Sequence, residues 1–142
     1  MNLLYGLAVM IVCLLLQACL LIVALRFYGR HQTRLTGSSF PMALLLVGGV
    51  MLLLVAGNLA QVGIWGLLFI LLGEFQQVGE AMYHSAVNFA TLGYGDIVMS
   101  DAHKMLGPLQ AINGILMIGV STAVLMAAVQ DVIRKTAGGE RG

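Results

Sequence analysis

The sequence predicts an all-α membrane protein with three transmembrane helices and one helix too short to span. Composition gives the first reason: of 142 residues, 60% are hydrophobic and 9% charged, with a mean hydropathy of +0.97. A water-soluble domain carries roughly 25% charged residues, so lipid must cover much of this surface. The second reason is spacing. Long apolar runs cover Leu3–Leu25, Pro41–Leu72 and Met105–Val129, each meeting the ~20 residues that a spanning helix needs. The third is a short mixed segment, Glu80–Ala90, lying between the second and third runs.

The first run is broken only by Gln17. A secretory signal wants a basic amino-terminal region, which Met1-Asn2 does not supply. Leu16-Gln17-Ala18-Cys19 only loosely resembles a lipoprotein cleavage box, and the apolar run continues past it. A retained helix over residues 1–27 is the expectation. Cys13 and Cys19 lie on different faces of that helix and lack metal-ligand spacing, so they read as packing or lipid-facing residues.

Residues 28–40 form a basic loop with Arg30, His31 and Arg34. Pro41 then opens the second helix, where its missing N–H is harmless and the preceding serines can cap. That run reads as one tilted helix over 41–73, because a split at Gly57-Asn58 leaves halves too short for a ~30 Å bilayer. Trp65 is expected near the lipid–water boundary. Asn58 and Gln61 are expected to hydrogen-bond to a neighbouring helix.

At 1.5 Å per residue, the segment 80–90 makes about 16 Å of helix, roughly half a bilayer. It precedes Thr91-Leu92-Gly93-Tyr94-Gly95-Asp96. Irregular, glycine-rich backbone at membrane depth survives only where protein buries it or it lines a polar cavity. A re-entrant loop is therefore expected. The last spanning helix covers 105–131 and is rich in small residues that allow close packing. Residues 132–142 read as a polar tail too short to fold.

Charge sets the orientation. Arg26, Arg30, Arg34, Arg134, Lys135 and Arg141 lie in the loop after the first helix or in the tail, and Lys104 alone lies opposite. By the positive-inside rule the loop and tail are cytoplasmic. The N-terminus is then outside, the hexapeptide enters from outside, and Glu74, Glu80, Asp96 and Asp101 surround its mouth. The net charge of +1 and the lack of a basic run give no sign of a nucleic-acid partner. No nucleophile–base constellation appears, so an enzyme is not expected.

The hexapeptide has its own chemistry. Passing a dehydrated cation requires oxygens in place of water, and backbone carbonyls supply them as neutral dipoles. Aiming successive carbonyls one way needs dihedrals that glycine permits, and Gly93 and Gly95 stand at alternate positions. One chain supplies one wall, so several must surround an axis.

Thr91–Asp96 resembles the filter signature of the potassium-channel family, with Leu92 where valine is common. Glu80, Ala81, Tyr83, Ser85 and Phe89 also stand in family-like places, and residues 41–131 resemble the family's two-helix pore module. The first helix lies outside the resemblance. The resemblance implies a homotetrameric K⁺-selective channel in the lipid bilayer, compact enough to suggest a prokaryotic plasma membrane. K⁺ would bind at Thr91, Leu92, Gly93 and Tyr94, with Gly95 completing the strand and no organic cofactor or other small-molecule substrate. Asp96 would be held behind the filter by Tyr83, with Asn88 as further support and Gly114 and Gly119 as inner-helix hinge candidates. Departures are Val87 and Ala90, where relatives often carry a carboxylate and a threonine, and Met99-Ser100, where they often carry proline. Two other functions are weighed: a non-conducting subunit of a partner channel, and a weakly selective cation channel. His84 and His103 could sense pH or simply complete local hydrogen bonds.

Overall fold

A computed structural model describes residues 2–31 and 40–138. Among these residues it contains four helices and no strand: α1 (Asn2–His31), α2 (Phe40–Leu71), α3 (Val78–Phe89) and α4 (Leu106–Gly138). α1, α2 and α4 are each long and apolar enough to cross a membrane. α3 has 12 residues, about 18 Å of helix, and sits against both α2 and α4.

α1 buries a narrow stripe. Gly6, Cys13, Gln17 and Ala24 are buried, at separations that keep one helix face turned inward, while Leu4, Leu15, Leu25 and their neighbours stay exposed. The fit against α2 is close. A Cβ on Gly57 would lie 2.3 Å from a Leu20 methyl, so the glycine opens a groove into which Leu20 sinks. Cys13 packs in a core cluster, whereas Cys19 is exposed. The helix runs on to His31, so Tyr28–His31 are helical rather than part of a loop. The serines proposed as caps, and Arg34, lie outside the described residues.

α2 passes through Gly57 and Asn58 without a break. It ends where the Gly73 amide bonds to the Ile70 carbonyl and the Glu74 amide to the Phe69 carbonyl, with Gly73 at φ +75°. This is a Schellman stop with glycine in its left-handed position. Trp65 is fully buried, with the Phe69 ring 6.1 Å away between centroids. The sequence could not separate an inward from an outward aromatic on a helix apolar all round.

α4 also departs from expectation, because its helix extends to Gly138 and takes in residues assigned to an unfolded tail. The Asp131 carboxylate accepts from Lys135 Nζ at 2.5 Å and from the Tyr28 hydroxyl at 2.7 Å. Those bonds support the last turns and tie them to α1. They also show that the basic ends of α1 and α4 lie at one end of the bundle.

Candidate functional site

α3 is held by buried polar contacts at its middle. Ser85 is fully buried and its hydroxyl donates to the Val62 carbonyl of α2 at 2.7 Å. From the other side, Gln110 Nε2 of α4 donates to the Ser85 hydroxyl at 2.6 Å and to its carbonyl at 3.0 Å. In an apolar interior these groups have no water to turn to, so the contacts fix both depth and rotation of α3.

The C-terminal end of α3 is wedged more tightly still. A Cβ on Gly114 would lie 2.0 Å from the Phe89 carbonyl oxygen and 2.8 Å from its carbon. Only glycine lets α4 touch the backbone there. Gly114 was singled out as a hinge candidate, and its position supplies a packing reason for glycine. Gly119, the other candidate, has nothing within 4 Å of an added Cβ.

α3 then stops by the same device as α2. The Thr91 amide bonds to the Asn88 carbonyl and the Leu92 amide to the Val87 carbonyl, both at 2.9 Å. The left-handed position is filled not by glycine but by Thr91, at φ +58°. For a β-branched residue that conformation is an outlier, costing on the order of 1–3 kcal/mol. Gly93 and Gly95 follow at φ +59° and +72°, while Leu92 and Tyr94 keep negative φ. The sign of φ thus alternates over five residues, a pattern of the kind that can turn successive N–H groups toward one side.

Behind this segment the flanking polypeptide is hydrogen-bonded. Tyr83 Oη donates to Asp96 Oδ2 at 2.8 Å. That bond holds the Asp96 carboxyl below its ordinary value and pushes the Tyr83 hydroxyl up. Asn88, expected beside Thr91–Asp96, instead turns its amide to His84 Nε2 at 2.9 Å. His84 Nδ1 lies 3.0 Å from the Ile97 carbonyl and donates to it. With Nδ1 donating and Nε2 accepting, the ring is the neutral tautomer. Burial moves its pKa down, consistent with that assignment. Asn88 therefore acts on the residue after Asp96 through His84, a relay invisible in sequence because Ile97 contributes only its backbone. Phe75 and Phe69 pack against the His84 ring, with centroids 5.1 and 5.6 Å away.

Glu74 supplies a second tie. Its carboxylate accepts from the Ser100 amide at 2.7 Å and the Ser100 hydroxyl at 2.5 Å, and pairs with His103. Burial works against the charge, but the two Ser100 bonds and His103 outweigh it and lower the Glu74 pKa. Glu80 and Asp101 are exposed, and Asp101 meets Lys104 at 3.0 Å. Leu92 and Tyr94 expose 54% and 66% of their surfaces, so nothing within one chain braces them. A cleft of about 360 Å³ opens behind Thr91 and Gly93, lined also by His84, Asn88, Lys104 and Pro108.

The architecture and this segment coincide with a known family. Residues 58–131, just over half of the chain, match the family described as "Ion channel". The chain belongs to the ion channel family. No curated protein and no solved structure shows a significant match. The matched span takes in the second half of α2, all of α3, Thr91–Asp96 and α4 as far as Asp131, leaving α1 outside. Membership of this family, with three helices of spanning length, fits an integral multi-pass membrane protein. Ion channel chains generally assemble as oligomers in a membrane.

Proposed function

We propose that this ion channel subunit is K⁺-selective and that Thr91–Gly95 form its filter. The observation carrying the reading is the alternation of left-handed φ at Thr91, Gly93 and Gly95 in a segment spelled Thr-Leu-Gly-Tyr-Gly-Asp. Carbonyls of Thr91, Leu92, Gly93 and Tyr94, with the Thr91 hydroxyl, replace the hydration shell of a dehydrated cation as neutral dipoles. Thr91 itself argues for function. Glycine would fill its Schellman position without strain, as Gly73 does at the end of α2, and threonine at that point adds a hydroxyl at the inner end of the strand.

Four chains around an axis complete the rings in this reading, and α3 is the re-entrant pore helix. Leu92 and Tyr94, bare in one chain, pack against neighbouring subunits. The Tyr83–Asp96 bond and the Asn88–His84–Ile97 relay hold the outer end of the strand. The basic ends of α1 and α4 face the cytoplasm and the Glu74, Glu80, Asp96 and Asp101 end faces outward. Reconstitution in proteoliposomes with opposed K⁺ and Na⁺ gradients tests the proposal. The expected reversal potential lies near the K⁺ equilibrium value, and Gly93→Ala abolishes selective flux. Equal permeability to both ions would point to a weakly selective cation channel. A stable homotetramer without flux, restored by a partner protein, would point to an accessory subunit.

A further inference from the structure

Three buried side-chain amides and one hydroxyl form a closed bracket at the heart of the bundle. Asn113 Nδ2 of α4 donates to Gln61 Oε1 of α2 at 3.4 Å. Gln61 Nε2 donates to Gln17 Oε1 of α1 at 2.9 Å, and Gln17 Nε2 donates to Ser121 Oγ, back on α4, at 3.0 Å. Gln61 and Asn113 are fully buried, and Gln17 and Ser121 are 2% and 8% exposed. The path leaves α4, crosses two other helices, and returns to α4 about 12 Å further along.

The stretch of α4 inside the bracket is the one least able to hold itself straight. Gly119 lies there with open space around it, and glycine weakens a helix interior by about 1 kcal/mol relative to alanine. Thr122 just beyond bonds back to the Ile118 carbonyl at 2.9 Å, a contact that favours bending. Gly114 at the other end is wedged against Phe89 and cannot pivot freely. A bend of α4 at Gly119 would change the separation of Asn113 from Ser121. It must therefore break one bond of the bracket and leave a buried amide or hydroxyl unpaired.

We propose that α1 is a latch on the inner helix, with Gln17 a positioning residue that acts through Ser121 to hold α4 straight across Gly119. α1 packs against α2 and α4, and its effect falls on gating rather than on selection. The inference rests on the channel reading for its electrical consequence, but its mechanical content, coupling of α1 to α4 at Gly119, stands without it.

The test uses the full chain in lipid bilayers: wild type, Gln17→Leu, Ser121→Ala, the double variant, and Ser121→Thr, which keeps the hydroxyl. Open probability, single-channel conductance and reversal potential are recorded, with amide hydrogen exchange of α4 residues 115–125 measured in parallel. Interhelical hydrogen bonds in membranes predict a shift of about three- to tenfold in open probability and in exchange for either single variant. The double variant should match the singles, Ser121→Thr should match wild type, and conductance and reversal potential should not move. Additive effects, unchanged exchange around Gly119, or altered conductance at constant open probability would each overturn the latch. If no variant and no wild type conducts, the exchange results alone decide the latch, and the missing flux counts against the channel reading instead.

Discussion

Replacing Gly114 by alanine is the sharpest mechanical test of how α3 is seated. The new Cβ would stand 2.0 Å from the Phe89 carbonyl oxygen, 2.8 Å from its carbon and 3.0 Å from its Cα. All three are backbone atoms, so no side-chain rotation relieves the clash. Restoring an ordinary contact requires α3 and α4 to part by about 1.5 Å. Ser85 is meanwhile bonded to both Val62 and Gln110, so the end of α3 moves while its middle is held. Overpacking of this kind costs at least about 1–3 kcal/mol. The displaced Phe89 lies two residues before Thr91, so the carbonyl spacing changes too, with an expected loss of about tenfold or more in K⁺ flux. Gly119→Ala is the matched control for packing stability alone, since its flux also reports the bend at Gly119: nothing lies within 4 Å, φ is helical, and helix propensity predicts a gain of about 1 kcal/mol. Thermal unfolding of the purified assembly and K⁺ flux in proteoliposomes read both variants. If Gly114→Ala melted and conducted like wild type, the seat between Phe89 and α4 would be wrong.

Other expectations follow from the site. Thr91→Gly should stabilise the fold by about 1 kcal/mol through relief of the left-handed strain while weakening K⁺ flux, and Thr91→Ser should retain flux. In wild type the Tyr83 bond keeps Asp96 ionised below its ordinary range; that contribution is present above the unfolded pKa and lost as pH falls through the folded one. Tyr83→Phe should therefore lose flux at a higher pH than wild type in an external acid titration. The His84 pKa is depressed, so its neutral relay contributes stability above about pH 6.5, lost as pH falls through the lower folded value. In His84→Phe the dependence of melting temperature on pH in that window should flatten. Glu74→Gln should weaken the ties to Ser100 and His103 and raise amide exchange over residues 97–104.

How much of this was legible in the sequence depended on what lipid leaves visible. The long apolar runs announce helices, and a short mixed segment before Thr91–Asp96 announces a helix that cannot span. Which way each helix faces was hidden, because lipid and protein core are equally apolar and periodicity fades. The burial of Trp65 is hidden for that reason. Gln17 showed only as an interruption of the first run, and its partners lie 44 and 104 residues away in the chain. Asn88 stands beside the hexapeptide in sequence, but its hydrogen-bond partner, His84, lies one turn back and could not be read from the residue types alone. Residues 132–138 looked like a tail, since their helical support comes from Tyr28 and the Asp131–Lys135 pair rather than from apolar content. The positive φ of Thr91 could not be read from a residue type that seldom adopts it.

In the proposed filter, Thr91–Tyr94 carbonyls bind dehydrated K⁺ along a shared axis. This binding is tested most directly by an experimental structure of the assembled protein in K⁺, with Rb⁺ or Tl⁺ exchanged in to mark ion positions. Four chains around one axis are expected, with a row of consecutive ion densities between the Thr91 hydroxyls and the Tyr94 carbonyls. An assembly whose Thr91–Gly95 segments turn away from a common axis, or whose axis stays without ions in saturating K⁺, would contradict it.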